Sequence, residues 1–144
     1  MYRHTQVALV PLAGSLLLAI ATSLIAMKQH RVGLFGIPVA LLLPGLLFSS
    51  MTVQVTAGEL QSHFRFKFWT KRVPLASVAR AEVTQSAALE GWGIRITPRG
   101  MLYNVWGRKA VEVRLHSGER FRFGTDEPGA LTAAIVANIG VPHA

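Results

Sequence analysis

Cysteine is absent from this 144-residue chain, which excludes disulfide staples, thiolate nucleophiles and cysteine metal sites and leaves the redox compartment open. Acid is scarce as well. Seven Asp and Glu stand against 15 Lys and Arg, and every acidic residue lies from Glu59 onward. Charge of either sign is missing from two longer runs, Thr5 to Met27 and Val32 to Gly58, parted only by Lys28-Gln29-His30-Arg31. A spanning helix needs about 20 apolar residues to cross a hydrocarbon layer about 30 Å thick, and both runs reach that length. The absences therefore read as an N-terminal transmembrane helical hairpin over residues 1–50, with spans at about 6–27 and 32–51, followed by a polar domain over 51–144. Neither span holds an ionisable residue, the usual mark of a proton relay or ion path. Transport by this chain alone is thus disfavoured.

An apolar N-terminal segment can also be a cleaved signal peptide, and Ala19-Ile20-Ala21 resembles a small-residue cleavage site. The length of the run, and the second span directly behind it, favour the hairpin. Ser15, Ala19 and Ser23 recur every four residues on the first span, and Gly36 with Ala40 on the second. Such stripes let helices approach closely in lipid. They serve either the packing of the hairpin on itself or a homo-oligomer interface. Pro11 sits near the start of its span, whereas Pro38 and Pro44 fall inside the second and should kink it. Arg3, Arg65, Lys67, Lys71 and Arg72 on the side of the termini outnumber Lys28 and Arg31 in the loop, so the positive-inside bias places both termini and the polar domain in the cytoplasm.

After Met51 the hydrophobic period changes to two. His63-Phe64-Arg65-Phe66-Lys67-Phe68 sets three phenylalanines on one face and two cations on the other, the pattern of a half-buried strand. Thr52–Thr56, Val78–Gln85, Trp92–Thr97, Leu102–Trp106, Ala110–Leu115 and Arg120–Phe123 complete seven candidate strands, which suggests a sandwich or barrel. A three-residue loop His116-Ser117-Gly118 would set Val113 opposite Phe121, Val111 opposite Phe123, Glu112 opposite Arg122 and Arg114 opposite Arg120. Any shift by one residue would mix apolar and charged side chains on both faces. For the preceding pair, a loop Pro98–Met101 aligns Ile96 with Tyr103 and Ile94 with Val105. Thr125-Asp126-Glu127-Pro128 then predicts a helix over about 126–139, with a hydroxyl cap, acids at the positive helix end and proline in the first turn. Leu131, Ile135 and Ile139 form its buried stripe, and Gly140 and Pro142 stop it.

Gly91-Trp92-Gly93-Ile94-Arg95, Tyr103-Asn104-Val105-Trp106-Gly107, Val111-Glu112-Val113 with Ser117-Gly118, and Phe123-Gly124-Thr125-Asp126-Glu127-Pro128 with Leu131 resemble the small bacterial pleckstrin-homology-like domains. Those domains often follow a pair of transmembrane helices. The resemblance covers roughly residues 51–141 and concerns turns and core positions, so it speaks to fold more than to function. It implies an α+β membrane protein of the bacterial inner membrane, with a bent seven-stranded barrel capped by one C-terminal helix and acting as a binding scaffold beside the membrane. Of the basic motif that phosphoinositide-binding relatives carry, only Arg65-Phe66-Lys67 is echoed here.

Candidate chemistry is sparse. His4, His30, His116 and His143 lie at termini or turns, no metal-ligand spacing, phosphate loop or nucleophile elbow occurs, and no cofactor is implied. An enzyme would need Glu82, Glu90 or His63 to converge in a cleft. The basic residues say more. Lys67, Trp69, Lys71 and Arg72, with Arg65, join positive charge to an aromatic of the kind that sits at headgroup level. Arg114, Arg120 and Arg122 share an outward face with Glu112, where like charges opposite one another are easier to understand if an anion binds. Both clusters also read as ordinary solvated strand faces. The expected partners are membrane lipids and a membrane protein or complex. Nucleic acid is not expected, since the aromatics and cations form no RNA-binding signature. The leading expectation is a non-enzymatic scaffold that binds a membrane protein or anionic headgroups. The alternative is a small accessory or assembly subunit of a larger membrane complex.

Overall fold

The structure, a computed structural model, describes residues 1–139. Among these, the chain is α+β, with three α-helices and two β-sheets of four and five strands. Strand β1, Tyr2–Val7, comes first, where sequence reading sets only the approach to a span. Helix α1, Leu9–Lys28, follows at once. It is 20 residues long and is the one described helix with the length and hydropathy to cross a bilayer. Lys28 closes its last turn, where a cation meets the negative end of the helix dipole.

The second apolar run is shorter as a helix than expected. A 3₁₀ turn over Val32–Phe35 leads into α2, Gly36–Leu47, and Ser50 already belongs to a strand. Pro38 thereby falls in the first turn of α2, where its missing donor is not needed. Pro44 alone lies in the interior, and it leaves the Ala40 carbonyl without its usual partner. The two helices touch where Gly45 leaves no room for a side chain beside the Ser15 hydroxymethyl group. Ala19 is buried on α1, and Ser15 and Ser23 are half-buried. On α2, Gly36 and Ala40 are exposed and take no part in packing the two helices on each other. Pro38, Leu41, Leu42 and Gly45 form the covered face instead, since the Ser15–Gly45 contact fixes the rotation of the helix.

Strands β2 (Ser50–Val55), β3 (Glu59–Phe64) and β4 (Thr70–Pro74) form an antiparallel sheet in the order β1-β2-β3-β4. Strands β5 (Val78–Gln85), β6 (Gly93–Thr97), β7 (Gly100–Asn104), β8 (Lys109–Leu115) and β9 (Arg120–Gly124) form the second in the order β5-β8-β9-β7-β6, with β7 and β9 parallel. The expected strand through Phe68 is corrected. It ends at Phe64, because Phe66 and Lys67 take left-handed backbone angles, φ 61° and 53°.

The β8–β9 register is the expected one, with Val113 opposite Phe121 and Arg114 opposite Arg120. The β6–β7 register is shifted by two residues from expectation and pairs Ile94 with Tyr103 and Ile96 with Met101. Thr97 closes the tighter turn. Its Oγ1 donates to the Gly100 carbonyl at 2.7 Å and accepts from the Arg99 amide at 3.2 Å, while Gly100 supplies φ 100°. A two-residue slip keeps every side chain on its face, which is why hydrophobic pattern alone does not detect it.

One apolar core joins Met51, Val53, Val55 and Phe64 of the first sheet to Tyr103, Val111, Val113 and Phe123 of the second. Helix α3, Pro128–Val136, lays Leu131 and Ile135 onto it across β5 and β8. It is shorter than the expected helix. Thr125 Oγ1 accepts from the Glu127 amide at 3.1 Å, and Pro128 opens the first turn. Asp126 and Glu127 turn to His4 of β1 at 2.6 Å and 3.3 Å. Gly140, Pro142 and His143 lie outside the described residues.

Candidate membrane-facing surface

The two apolar helices grow straight out of paired strands. Val7 at the end of β1 pairs with Ser50 at the start of β2, and the Ala8 amide donates to the Ser49 carbonyl at 2.7 Å. Met51 pairs in turn with Phe64, the last residue of β3. The Arg65–Trp69 loop therefore emerges from the same edge of the sheet as α1 and α2. Arg65 Nη1 donates to Ser49 Oγ at 2.8 Å, and Phe48 at the foot of α2 meets Phe64 and Phe68 edge-on at centroid distances of 4.9 and 5.3 Å. The left-handed pair at Phe66 and Lys67 turns the chain outward. Phe66 is 69% exposed and Trp69 47%, beside the exposed Arg65 and Lys67. Aromatic and cation thus share one ledge at the base of the helices.

The rest of that cluster is placed elsewhere. Lys71 pairs with Ser62, two residues back along β3 from Phe64, or about 7 Å at the usual strand rise. Its Nζ lies 4.2 Å from the centroid of the Phe121 ring. Arg72 is 3.7 Å from Glu59. Lys71 thereby approaches the second cluster, where Arg120 is exposed and lines, with Arg99, an open cavity of about 540 Å³. Arg114 stands 3.7 Å from Glu112.

Arg122 is a correction. Its side chain is fully buried and makes a two-point pair with Glu90, 2.8 Å at each contact, and a bond to Thr97 Oγ1 at 2.7 Å. Strand β9 is central in its sheet, and the connection between β5 and β6, which carries Ser86 and Glu90, folds over the face that alternation alone assigns to solvent. Arg99 Nη2 adds a second cation 3.3 Å from Glu90. The two-point bond from Arg122 is the main reason that the Glu90 carboxyl is lowered to about 2.

Glu82 contacts Arg80, and His63 Nδ1 lies 3.2 Å from the Phe64 carbonyl oxygen, so Glu82, Glu90 and His63 each have separate local partners. Among the described residues no cluster of three or more His, Asp or Glu is placed to hold a metal ion.

Sequence reasoning missed one feature of the junction. A cavity of about 700 Å³ lies between α1, α2 and the β6–β7 face, with Trp92 and Trp106 at its wall, their rings 5.6 Å apart. Gly91-Trp92-Gly93 reads in sequence as a tight approach to a strand, and nothing local signals that a side chain at Gly93 would come up against the Phe48 ring at the helix foot. No protein-family model matches the chain, and no curated protein or solved structure matches it.

Proposed function

We propose that this chain is a non-enzymatic scaffold of the bacterial inner membrane, anchored by α1 and the shorter apolar segment, whose pleckstrin-homology-like β-domain lies against the cytoplasmic leaflet and reads anionic headgroups. The observation that carries the reading is the Arg65–Trp69 ledge at the base of the helices. Amphipathic aromatics settle at headgroup level, and each cation close to an anionic surface contributes about 1 kcal/mol. A basic excess on the β-domain side of the helices favours the cytoplasmic orientation.

The test is hydrogen exchange on the full chain in nanodiscs. Amides of 65–69 are expected to exchange more slowly in phosphatidylglycerol discs than in phosphatidylcholine discs, with the difference lost in Arg65→Gln/Lys67→Gln. Equal exchange in the two lipids removes the headgroup reading.

A second reading, an accessory subunit of a larger membrane complex, is favoured by the length of the second segment. Val32–Leu47 extends about 24–26 Å at helical rise, short of the roughly 30 Å core. Oligomerisation with partner helices is one way to accommodate such a mismatch. A stoichiometric partner retained through mild detergent purification supports it; lipid alone does not.

A further inference from the structure

We infer that the 700 Å³ cavity at the helix–sheet junction binds one acyl chain of an anionic phospholipid, with Arg95 at its mouth as partner of the headgroup. The inference rests on the membrane anchoring proposed above and adds to it a specific lipid site distinct from the Arg65–Trp69 ledge.

The cavity lies inside the range of about 300–1,000 Å³ in which small-molecule sites fall. Its helical wall is the Val10, Gly14, Leu18 face of α1, at the spacing of four that keeps side chains on one side of a helix. Leu41 and Pro44 of α2 stand beside it, and Ile94 and Val105 belong to the sheet side. Gly14 leaves the wall hollow, since a Cβ there would meet nothing within 4 Å. Ser15 contributes no free donor, because its hydroxyl donates to the Leu12 carbonyl at 2.9 Å.

Arg95 is the single charged residue of the lining. It is exposed, and its Nε donates to the Trp92 carbonyl at 3.1 Å. That bond holds the guanidinium beside the backbone of Gly91 and Trp92. Among the described residues no carboxylate lies within ion-pair distance of it, and its terminal nitrogens have no hydrogen-bond acceptor.

A cation poised over an acid-free apolar slot complements a molecule with an anionic head and an apolar tail. The Trp92 and Trp106 rings beside it are the aromatics that lie where such a head meets such a tail. The apolar helix of a protein partner would fill the same wall but has no use for Arg95, so the lipid is the better match.

The experiment titrates full-length protein in mild detergent with dioleoyl phosphatidylglycerol or dioleoyl phosphatidylcholine and counts retained lipid by native mass spectrometry. Wild type is expected to hold a single phosphatidylglycerol per chain. Gly14→Phe, which fills the hollow from an unobstructed position, should lose it, and Leu18→Trp serves as a second blocking variant. Arg95→Gln should still take up lipid but prefer phosphatidylglycerol about fivefold less, as expected for one interfacial cation. Retention unchanged in both blocking variants, an undiminished preference in Arg95→Gln, or no lipid on wild type overturns the inference. So does a co-purifying polypeptide whose removal is required before lipid enters. Carbonate extraction of cell membranes, run alongside, separates the two readings. If wild type is extracted, the membrane anchoring has failed; if it resists while the lipid count stays at zero, only the cavity assignment has.

Discussion

Arg122 carries its charge with no exposure to water, while the Glu90 carboxylate that neutralises it keeps 15% of its side-chain surface and a second cation in Arg99. The two ends of this pair are therefore unequal. Breaking a buried pair by removing one partner costs roughly 3–5 kcal/mol when the remaining charge is trapped. Glu90→Ala traps Arg122. Arg122→Met leaves Glu90 partly hydrated and still beside Arg99, and it fills the vacated space with an apolar chain. Thermal unfolding followed by circular dichroism is expected to show a large fall in Tm for Glu90→Ala and a clearly smaller one for Arg122→Met; equal losses would refute the asymmetry. Acid should reveal the same carboxylate. Its folded-state pKa lies below the ordinary value, at about 2 against 4.5, so its contribution is complete above pH 4.5 and is lost as pH falls towards 2. The stability difference between wild type and Glu90→Gln should accordingly be constant near neutrality and close over that acid interval. A difference that persists at pH 2 would mean that charge is not its source.

At the scale of elements, the loop between β3 and β4 sets a local cost against an exposed surface. A left-handed conformation costs an L-residue about 1–2 kcal/mol, and Phe66 adopts it while leaving most of its ring in the open. Phe66→Gly relieves that strain, against about 0.4–1 kcal/mol of added unfolded-chain entropy. Its Tm should equal or exceed that of wild type while the slow exchange of residues 65–69 on anionic nanodiscs is weakened. Phe64→Ala, two residues earlier and 1% exposed, should lose about 3–5 kcal/mol of stability. If Phe66→Gly is as damaging as Phe64→Ala, the ring is a core residue rather than a surface one. This loop also marks where sequence reading fails. The alternation His63 to Phe68 fits a strand, and only the left-handed turn, which neither Phe nor Lys advertises, cuts it short. The register of β8 against β9 was legible because alternation and Gly118 agreed on it, although each strand runs one residue beyond its expected bounds. The burial of Arg122 was not, because what covers it comes from a connection more than 30 positions away. Strand β1 escaped because its apolar alternation is weak and its partner β2 lies beyond both apolar helices.

For the whole molecule, the pairing of β1 with β2 ties together the two points where the chain leaves the sheet for its apolar helices. Whatever side of a membrane holds the β-domain must then hold the N-terminal strand as well, and the turn between α1 and α2 must lie at the far end of the helices. In the proposed membrane-spanning arrangement, Arg3, Arg65 and Lys67 on the sheet side compete with Lys28 and Arg31 at that turn, and the positive-inside bias favours the cytoplasm for the larger basic group. The absence of cysteine makes this directly measurable. A single cysteine at Gln29, beside the turn, should react in intact cells with a membrane-impermeant maleimide, whereas one at Ser117, in the exposed β8–β9 loop, should react only after permeabilisation. The reverse pattern would put the β-domain outside. Labelling of both in intact cells would mean that the apolar helices do not cross, and the ledge at Arg65–Trp69 would then need an explanation other than its own bilayer. If the orientation is as argued, neutralising Arg65 and Lys67 together should weaken the retention signal. A fraction of Ser117→Cys chains in that background is expected to become reactive in intact cells, because those two cations lie nearer the helix ends than Lys71 and Arg72 do.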